Sequence, residues 1–257
     1  MSGLFVQGLS VEIAGKPILS SLDLAVARGE MVGLIGPNGA GKTTALRAIL
    51  GLVAASAAKI EVDGTDVRAL SARARAHLIS YLPQSREVFW PVSGKTLVGL
   101  GRFPHGDQAA PSGQAAIARS LAEADATAFA DRNVRTLSGG ELARILFARA
   151  LAVEAPVLLA DEPVAALDPG HQLKAMERLR AAARASSVLV VLHDLGLAAR
   201  YCDRLYLLNE GRLVICGAAG EVIASPELER VFAIKLLRAQ AQGVSLIAPA
   251  PADGACG

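Results

Sequence analysis

The stretch GPNGAGKT, Gly36 to Thr43, matches G-x-x-x-x-G-K-[ST] in full, and the chemistry of that spacing is phosphate binding. Gly36, Gly39 and Gly41 allow backbone N–H groups to curl round a β-phosphate, with Pro37, Asn38 and Ala40 completing the loop. Lys42 is placed to reach β- and γ-oxygens and Thr43 to hold Mg²⁺ through its hydroxyl, while Thr44 carries the set into the next helix. A second stretch, VLLADEP (Val157 to Pro163), ends an apolar run in two acids. Neighbouring side chains of a strand point to opposite faces, so the two carboxylates are free to do different work. Asp161 is expected to help hold Mg²⁺, and Glu162 to align and deprotonate a water.

A third stretch, TLSGGELARILFARAL, opens like a helix built to hold an anion. Ser138 is a good N-cap, Glu141 completes a capping box, and Leu142, Ile145, Leu146 and Leu151 mark one apolar face. Gly139 and Gly140 fall in its first turn, where each costs about 1 kcal/mol relative to Ala. Bare amides beside a serine hydroxyl suit close approach of a phosphate, yet no Lys stands among them. Gln84, in YLPQ, and His193, in VLVVLHDL, end two more apolar runs. In open α/β sheets, ligands bind at that end of the strands. Taken singly, neither residue is informative: a lone His there is commonly a hydrogen-bonded cap, and Asp194 is placed to N-cap the following helix.

These residues need elements to position them. MVGLI (Met31 to Ile35) is the buried strand that feeds the Gly-rich loop, and the helix after the loop closes at Gly51. Before it, Phe5, Leu9, Val11 and Ile13, then Ile18, Leu22, Leu24 and Val26, alternate as antiparallel strands. KIEVDGTDV reads as strand and turn, Ser71 caps a short basic helix, and LISYLPQ returns as a strand. From about Arg86 to Val153 helical, Ala-rich text takes over. Strand and helix then alternate through PVLLADEP, a helix from Pro169 to Ala185, SVLVVLHD, a helix through Tyr201, and a hairpin turning at Glu210-Gly211. The pattern predicts an α/β fold: a P-loop NTPase core with a mixed sheet (residues 1–85 and 154–240), an N-terminal antiparallel β-subdomain, and an inserted α-helical subdomain at about 86–153. ELERVFAIKLL is expected to be the last helix of this single domain, and 241–257, small residues and Pro, a disordered tail.

Bulk properties narrow the function. With 26 basic and 24 acidic residues the net charge is +2, which makes no electrostatic case for a nucleic-acid partner. The start lacks a signal-peptide pattern, and no run approaches the roughly 18 uncharged apolar residues of a spanning helix. Cys202, Cys216 and Cys256 have no metal-ligand spacing and fit a reducing compartment, the first two as core packing. The expectation is a cytosolic protein that meets a membrane only from its surface.

The order of the stretches is more specific than any one of them. GPNGAGKT, Gln84, LSGGE, VLLADEP, AALD (Ala165 to Asp168) and His193 together resemble the nucleotide-binding subunit of the ABC transporters, over nearly the whole chain except its tail. The resemblance implies ATP and Mg²⁺ as cofactors and a head-to-tail pair with a second copy. In that pair Ser138, Gly139 and Gly140 of one subunit close over the γ-phosphate held by the other. It also implies that His193 contacts that phosphate in cis and that Asp168 communicates across the interface. Gln84 would link the Mg²⁺ and attacking water to a transmembrane subunit, with Glu162 the general base. Ile13 stands near where the family usually has an adenine-stacking aromatic, which leaves an apolar contact in its place.

Within the family, VGLGRFPHG, DEPVAALDPGHQ and EVIASPELERVFAI are most similar to subunits of importers for siderophores, haem and cobalamin. Such subunits work on the cytoplasmic face of the inner membrane with a permease, whose coupling helix meets the helical subdomain and the Gln84 loop, and with a substrate-binding protein. The expectation is therefore the ATP-hydrolysing subunit of a bacterial importer. The alternatives are a soluble ABC-type ATPase and a scaffold that does not turn over. Translation members carry two motif sets and repair members long coiled coils, neither of which is here; intact Lys42, Asp161, Glu162 and His193 argue against the scaffold.

Overall fold

The computed structural model describes residues 2–85, 87–241 and 244–250. Two long strands, β1 (Gly3–Ile13) and β2 (Lys16–Ala27), pair antiparallel, and β3 (Met31–Ile35) leads through the glycine-rich loop into α1 (Lys42–Ile49). Strands β4 (Lys59–Val62) and β5 (Thr65–Asp66), helix α2 (Ala72–Ala76) and strand β6 (Ile79–Leu82) follow. A helical insertion holds α3 (Gly94–Gly99), α4 (Pro111–Glu123) and α5 (Gly139–Leu151). Then come β7 (Val157–Asp161), α6 (Pro169–Ala183), β8 (Ser187–Val191), α7 (Leu195–Tyr201), β9 (Arg204–Asn209) and β10 (Arg212–Ala218). The chain closes with α8 (Ala219–Ala224), α9 (Pro226–Phe232), β11 (Leu236–Ala241) and β12 (Val244–Pro249).

A mixed sheet in the order β10-β9-β3-β8-β7-β6 carries the site. Its strands from β9 to β6 run parallel, and only the β9–β10 hairpin is antiparallel. The alternation of side chains along the parallel strands divides the core in two. Val188 and Val190 of β8 and Leu158 and Ala160 of β7 face the helices, where Leu97, Ile117, Ile145, Met176 and Leu179 are buried. Leu189, Val191, Val157 and Leu159 face α1 and the antiparallel sheet β2-β1-β4-β5. Gly33 sits on the helical side of β3, where an added Cβ would lie 2.6 Å from Leu205 and 2.9 Å from the Cys202 sulfur. Both neighbours are buried, so neither has space to move. We expect Gly33→Ala to cost about 1–3 kcal/mol through overpacking, read as a lower urea midpoint at unchanged slope.

Several expectations need correction. In β1 the inward residues are Leu4, Val6, Leu9 and Val11, while Phe5 is half-buried and Ile13 is 49% exposed. A register shift between Val6 and Leu9 changes the phase of the strand, which a strict alternation cannot show. Cys202 is buried, as expected, and its thiol is pushed up to about 12 by burial, but Cys216 on β10 is exposed. Cys256 lies outside the described residues. ELERVFAIKLL is not one helix: α9 ends at Ala233, whose φ of 52° is left-handed, and Leu236 begins a strand. That strand pairs antiparallel with β12, so residues 244–249 are ordered where a disordered tail was expected, and Ile247 packs on the core. The rest of the expected tail, 251–257, lies outside the described residues.

Candidate active site

Parallel pairing brings the carboxyl ends of β3, β8, β7 and β6 side by side, with Leu34 opposite Val191, Val191 opposite Asp161, and Ala160 opposite Leu82. The connections leaving β8, β7 and β6 carry His193, Glu162 and Gln84, and the loop leaving β3 leads to Lys42, the first residue of α1. Together with Ile18, Asn38, Gly39, Gly41, Thr43 and Thr44 these residues line one open cavity of about 860 Å³.

The glycine-rich loop has the backbone that only glycine tolerates. Gly36 has φ 146° and an added Cβ would meet the Leu208 carbonyl oxygen at 2.1 Å. Gly41, the N-cap of α1, has φ 96°, with Leu19 and the Ile18 carbonyl oxygen 2.7 and 3.0 Å from an added Cβ. The Lys42 side chain turns back into the loop and donates from Nζ to the carbonyl oxygens of Gly36 and Pro37, both at 2.8 Å. Burial lowers the Lys42 pKa, opposed by the negative charges of Glu162 and Asp161. The site thus holds a desolvated cation at a helix N-terminus, an arrangement suited to a polyphosphate.

The two adjacent acids separate, though by a turn at Glu162 rather than by alternation along a strand, since β7 ends at Asp161. Asp161, the last residue of β7, is 1% exposed and accepts from the Thr43 hydroxyl at 3.0 Å and the Tyr81 hydroxyl at 3.2 Å. Burial raises its pKa, and those two bonds oppose the shift. Glu162 leaves the strand in a left-handed conformation, φ 47°, an uncommon backbone for a non-glycine residue. The turn carries its carboxylate away from Asp161 and between two other loops. Gln84 Nε2 donates to Oε2 at 2.6 Å, and His193 Nε2 pairs with Oε1. Asp194 N-caps α7 by accepting from Leu197 N at 2.9 Å, which anchors the residue beside His193.

Ser138, Gly139 and Gly140 do not line this cavity. They sit at the start of α5, where the expected capping box is present. Ser138 Oγ accepts from Glu141 N at 3.3 Å, and Glu141 Oε2 accepts from Ser138 N at 2.7 Å. Arg132 adds an ion pair to Glu141 at 2.8 Å, and the Ser138 N–H followed by Arg132 holds the Glu141 carboxyl below its usual range. Ser138 and Gly139 are exposed. Asp168 is also outside the cavity, N-capping α6. One chain therefore gathers the loop, Gln84, Glu162 and His193 in one cavity, and leaves the serine–glycine turn outside it with Ser138 and Gly139 exposed.

Sequence reasoning missed two residues here. Tyr81 grips the second oxygen of Asp161, and burial followed by the Asp161 charge pushes its hydroxyl up to about 12. The alternation in LISYLPQ, with Tyr81 between buried Ser80 and Leu82, was the available signal. The apolar wall of the cavity is Ile18 on β2; Ile13, expected to provide it, is not among the lining residues.

The sequence profile described as "ABC transporter" matches residues 19–165, more than half of the chain. The chain belongs to the ABC transporter family. That match runs from beside the glycine-rich loop through the Asp161-Glu162 pair and stops before His193. The hemin import ATP-binding protein HmuV of Pseudomonas aeruginosa is 42% identical over 240 residues, covering 91% of this chain and 94% of that protein. The cobalamin import ATP-binding protein BtuD of Halobacterium salinarum is 42% identical over 232 residues, which is 89% of this chain but 58% of that longer protein. The chain thus spans less than two thirds of the cobalamin relative. A solved structure described as an inward-facing metal-chelate type ABC transporter superposes with a TM-score of 0.81 at 24% identity, covering 98% of each chain. Its ABC cassette has the same mixed α/β fold as this one.

Proposed function

We propose that the protein is the ATP-hydrolysing subunit of a bacterial ABC importer for an iron chelate, haem or cobalamin. The observation that carries the reading is the division of the site. Lys42, Thr43, Gln84, Glu162 and His193 share one cavity, while the Ser138–Gly140 turn stands outside it with Ser138 and Gly139 exposed. A turn built for phosphate yet directed away from its own loop serves the ATP of a second copy, arranged head to tail. The names of the hemin and cobalamin relatives supply the cargo class.

In this reading the loop amides from Gly36 to Thr44 and the Lys42 ammonium hold the β- and γ-phosphates. Glu162 accepts a proton from water as its oxygen bonds to the γ-phosphorus and the bond to the β,γ-bridging oxygen breaks, releasing ADP and phosphate. Gln84 and His193 orient the Glu162 carboxylate, His193 also facing the γ-phosphate. Ser138, Gly139 and Gly140 complete the site from the partner, and Asp168 lies at the same interface. Completion only on closure makes hydrolysis report the paired state.

The residues present fit Mg²⁺: Thr43 Oγ1 and Asp161 Oδ1 stand 3.0 Å apart at the phosphate end, and Gln84 offers an amide oxygen. These are hard oxygen donors of the kind that hold this ion together with phosphates and water. When bound, it would neutralise charge on the β- and γ-oxygens. Tyr81 holds the Asp161 carboxylate in place for that role. Tyr81→Phe is expected to raise the Mg²⁺ concentration for half-maximal ATP turnover about tenfold, with ATP binding in EDTA unchanged.

The chain has surfaces for a membrane partner. No helix among its described residues is long and apolar enough to cross a membrane. Its exposed large aromatics, Phe89, Trp90 and Phe103, all fall in the helical insertion and the segment leading from Gln84 into it. A permease coupling helix would dock there on the cytoplasmic face of the inner membrane, with a substrate-binding protein delivering cargo from the other side. The test is capture of the tagged protein from detergent-solubilised native membranes. Recovery of a polytopic permease, with ATPase activity raised by one class of chelate, is expected; recovery only from the soluble fraction would overturn the importer reading.

A further inference from the structure

The two glycines of the serine–glycine turn do not have the same neighbours. A Cβ added to Gly139 would meet nothing within 4 Å. One added to Gly140 would lie 3.1 Å from Cδ2 and 3.2 Å from Nε2 of His171. Gly140 is therefore packed closely inside its own chain: a Cβ there would push the imidazole by a few tenths of an ångström.

That imidazole is held from its other edge. Asp168 accepts from the His171 backbone N at 3.0 Å through Oδ1, and its Oδ2 pairs with His171 Nδ1 at 2.5 Å. One carboxylate thus fixes both the backbone and the ring of His171 at the first turn of α6. The backbone bond, then the ring bond, holds the Asp168 carboxyl below its usual range. His171 also lines a small cavity of about 30 Å³ with Gly140, Ala143, Pro163 and Leu167, the space of about one water. The ring is a spacer between the first turn of α5, in the helical insertion, and the first turn of α6, in the core.

We infer that His171 is a positioning residue that couples Asp168 to the Ser138–Gly140 turn, so that the two present to the partner subunit at a set distance. The inference rests on the head-to-tail reading above. Helix capping alone would require only the contacts to Asp168; the coupling requires the opposite edge of the ring as well. His171 touches neither nucleotide nor reacting atoms, so its loss acts on pairing rather than on nucleotide binding by one chain.

The experiment uses the full chain carrying Glu162→Gln, with ATP-driven dimerisation followed by light scattering. Adding His171→Ala is expected to raise the ATP concentration for half-dimerisation about tenfold. Affinity of the single chain for a fluorescent ATP analogue, measured at protein concentrations too low for pairing, is expected to stay within twofold. His171→Asn separates the roles, because its amide nitrogen takes about the place of Nδ1 and keeps the Asp168 bond, while nothing replaces the edge at Gly140. The inference expects Asn to be as defective as Ala. Full rescue by Asn, or an unchanged ATP requirement with Ala, overturns it. If the Glu162→Gln parent shows no ATP-driven dimer, the head-to-tail reading itself fails and this inference falls with it.

Discussion

Glu162→Gln is expected to lower ATP turnover by about 10²–10⁴-fold while leaving nucleotide binding intact, so that ATP accumulates a stable dimer. The substitution keeps the shape of the side chain and removes its capacity to take a proton. In the structure both carboxylate oxygens are engaged, Oε2 by Gln84 Nε2 at 2.6 Å and Oε1 by His193 Nε2. A primary amide presents only one oxygen, so one of those two donors must turn away or His193 must accept instead. The lost negative charge also weakens repulsion of the γ-phosphate, which favours the ATP-bound pair over the open one. Phosphate release under steady state and light scattering with ATP read the two effects separately. Turnover at the parent rate would remove Glu162 from the role of base.

The second large effect is expected at Lys42. Lys42→Ala removes the one ammonium that lines the cavity among the described residues, and with it charge-assisted hydrogen bonds to phosphate oxygens worth about 1.5–3 kcal/mol each. The expected result is at least about tenfold weaker ATP binding, with turnover lost in proportion. Stability should respond in the opposite sense. The folded pKa of Lys42 is lowered by burial, so the folded state binds this proton less tightly than the unfolded chain does. The charged side chain therefore costs stability at every pH below its folded pKa, and that cost fades as pH rises toward the unfolded value. Removing it should leave the thermal midpoint of the nucleotide-free protein unchanged or raised near neutral pH, while abolishing the rise that saturating ATP produces in the parent. A lower midpoint without nucleotide would instead make Lys42 a structural support of the loop through its bonds to Gly36 and Pro37.

Much of the site was legible because its signals are local. A left-handed φ at Gly41, a serine that caps α5 three residues before Glu141, and an aspartate that caps α7 all join atoms a few residues apart. Residue type and spacing are enough to specify such bonds, since each joins groups only three residues apart. Strand ends were legible for a related reason: short apolar runs that stop at a polar residue mark where a buried strand emerges, and parallel pairing puts those stops at one edge.

Other features had no local signal. Gln84 and Glu162 are 78 residues apart, Tyr81 and Asp161 80 apart, and each pair depends on β6 lying beside β7 in the right register. Gly140 reads as a phosphate glycine in the sequence; its contact with His171 exists only because α5 of the helical insertion meets α6 of the core. Ile18 rather than Ile13 lines the cavity, because Ile13 ends β1 exposed beside the turn into β2 while Ile18 lies on β2 next to the glycine-rich loop. The pairing of β11 with β12 escaped because the weak sequence of β12 becomes a strand only by pairing with its neighbour and by seating Ile247 on the core. The sequence by itself determined the loop that binds phosphate, the helix caps and the inventory of acids and bases. The tertiary structure alone decided which acid meets which donor and which turn stands outside the cavity, because those arrangements involve residues whose proximity no local spacing encodes.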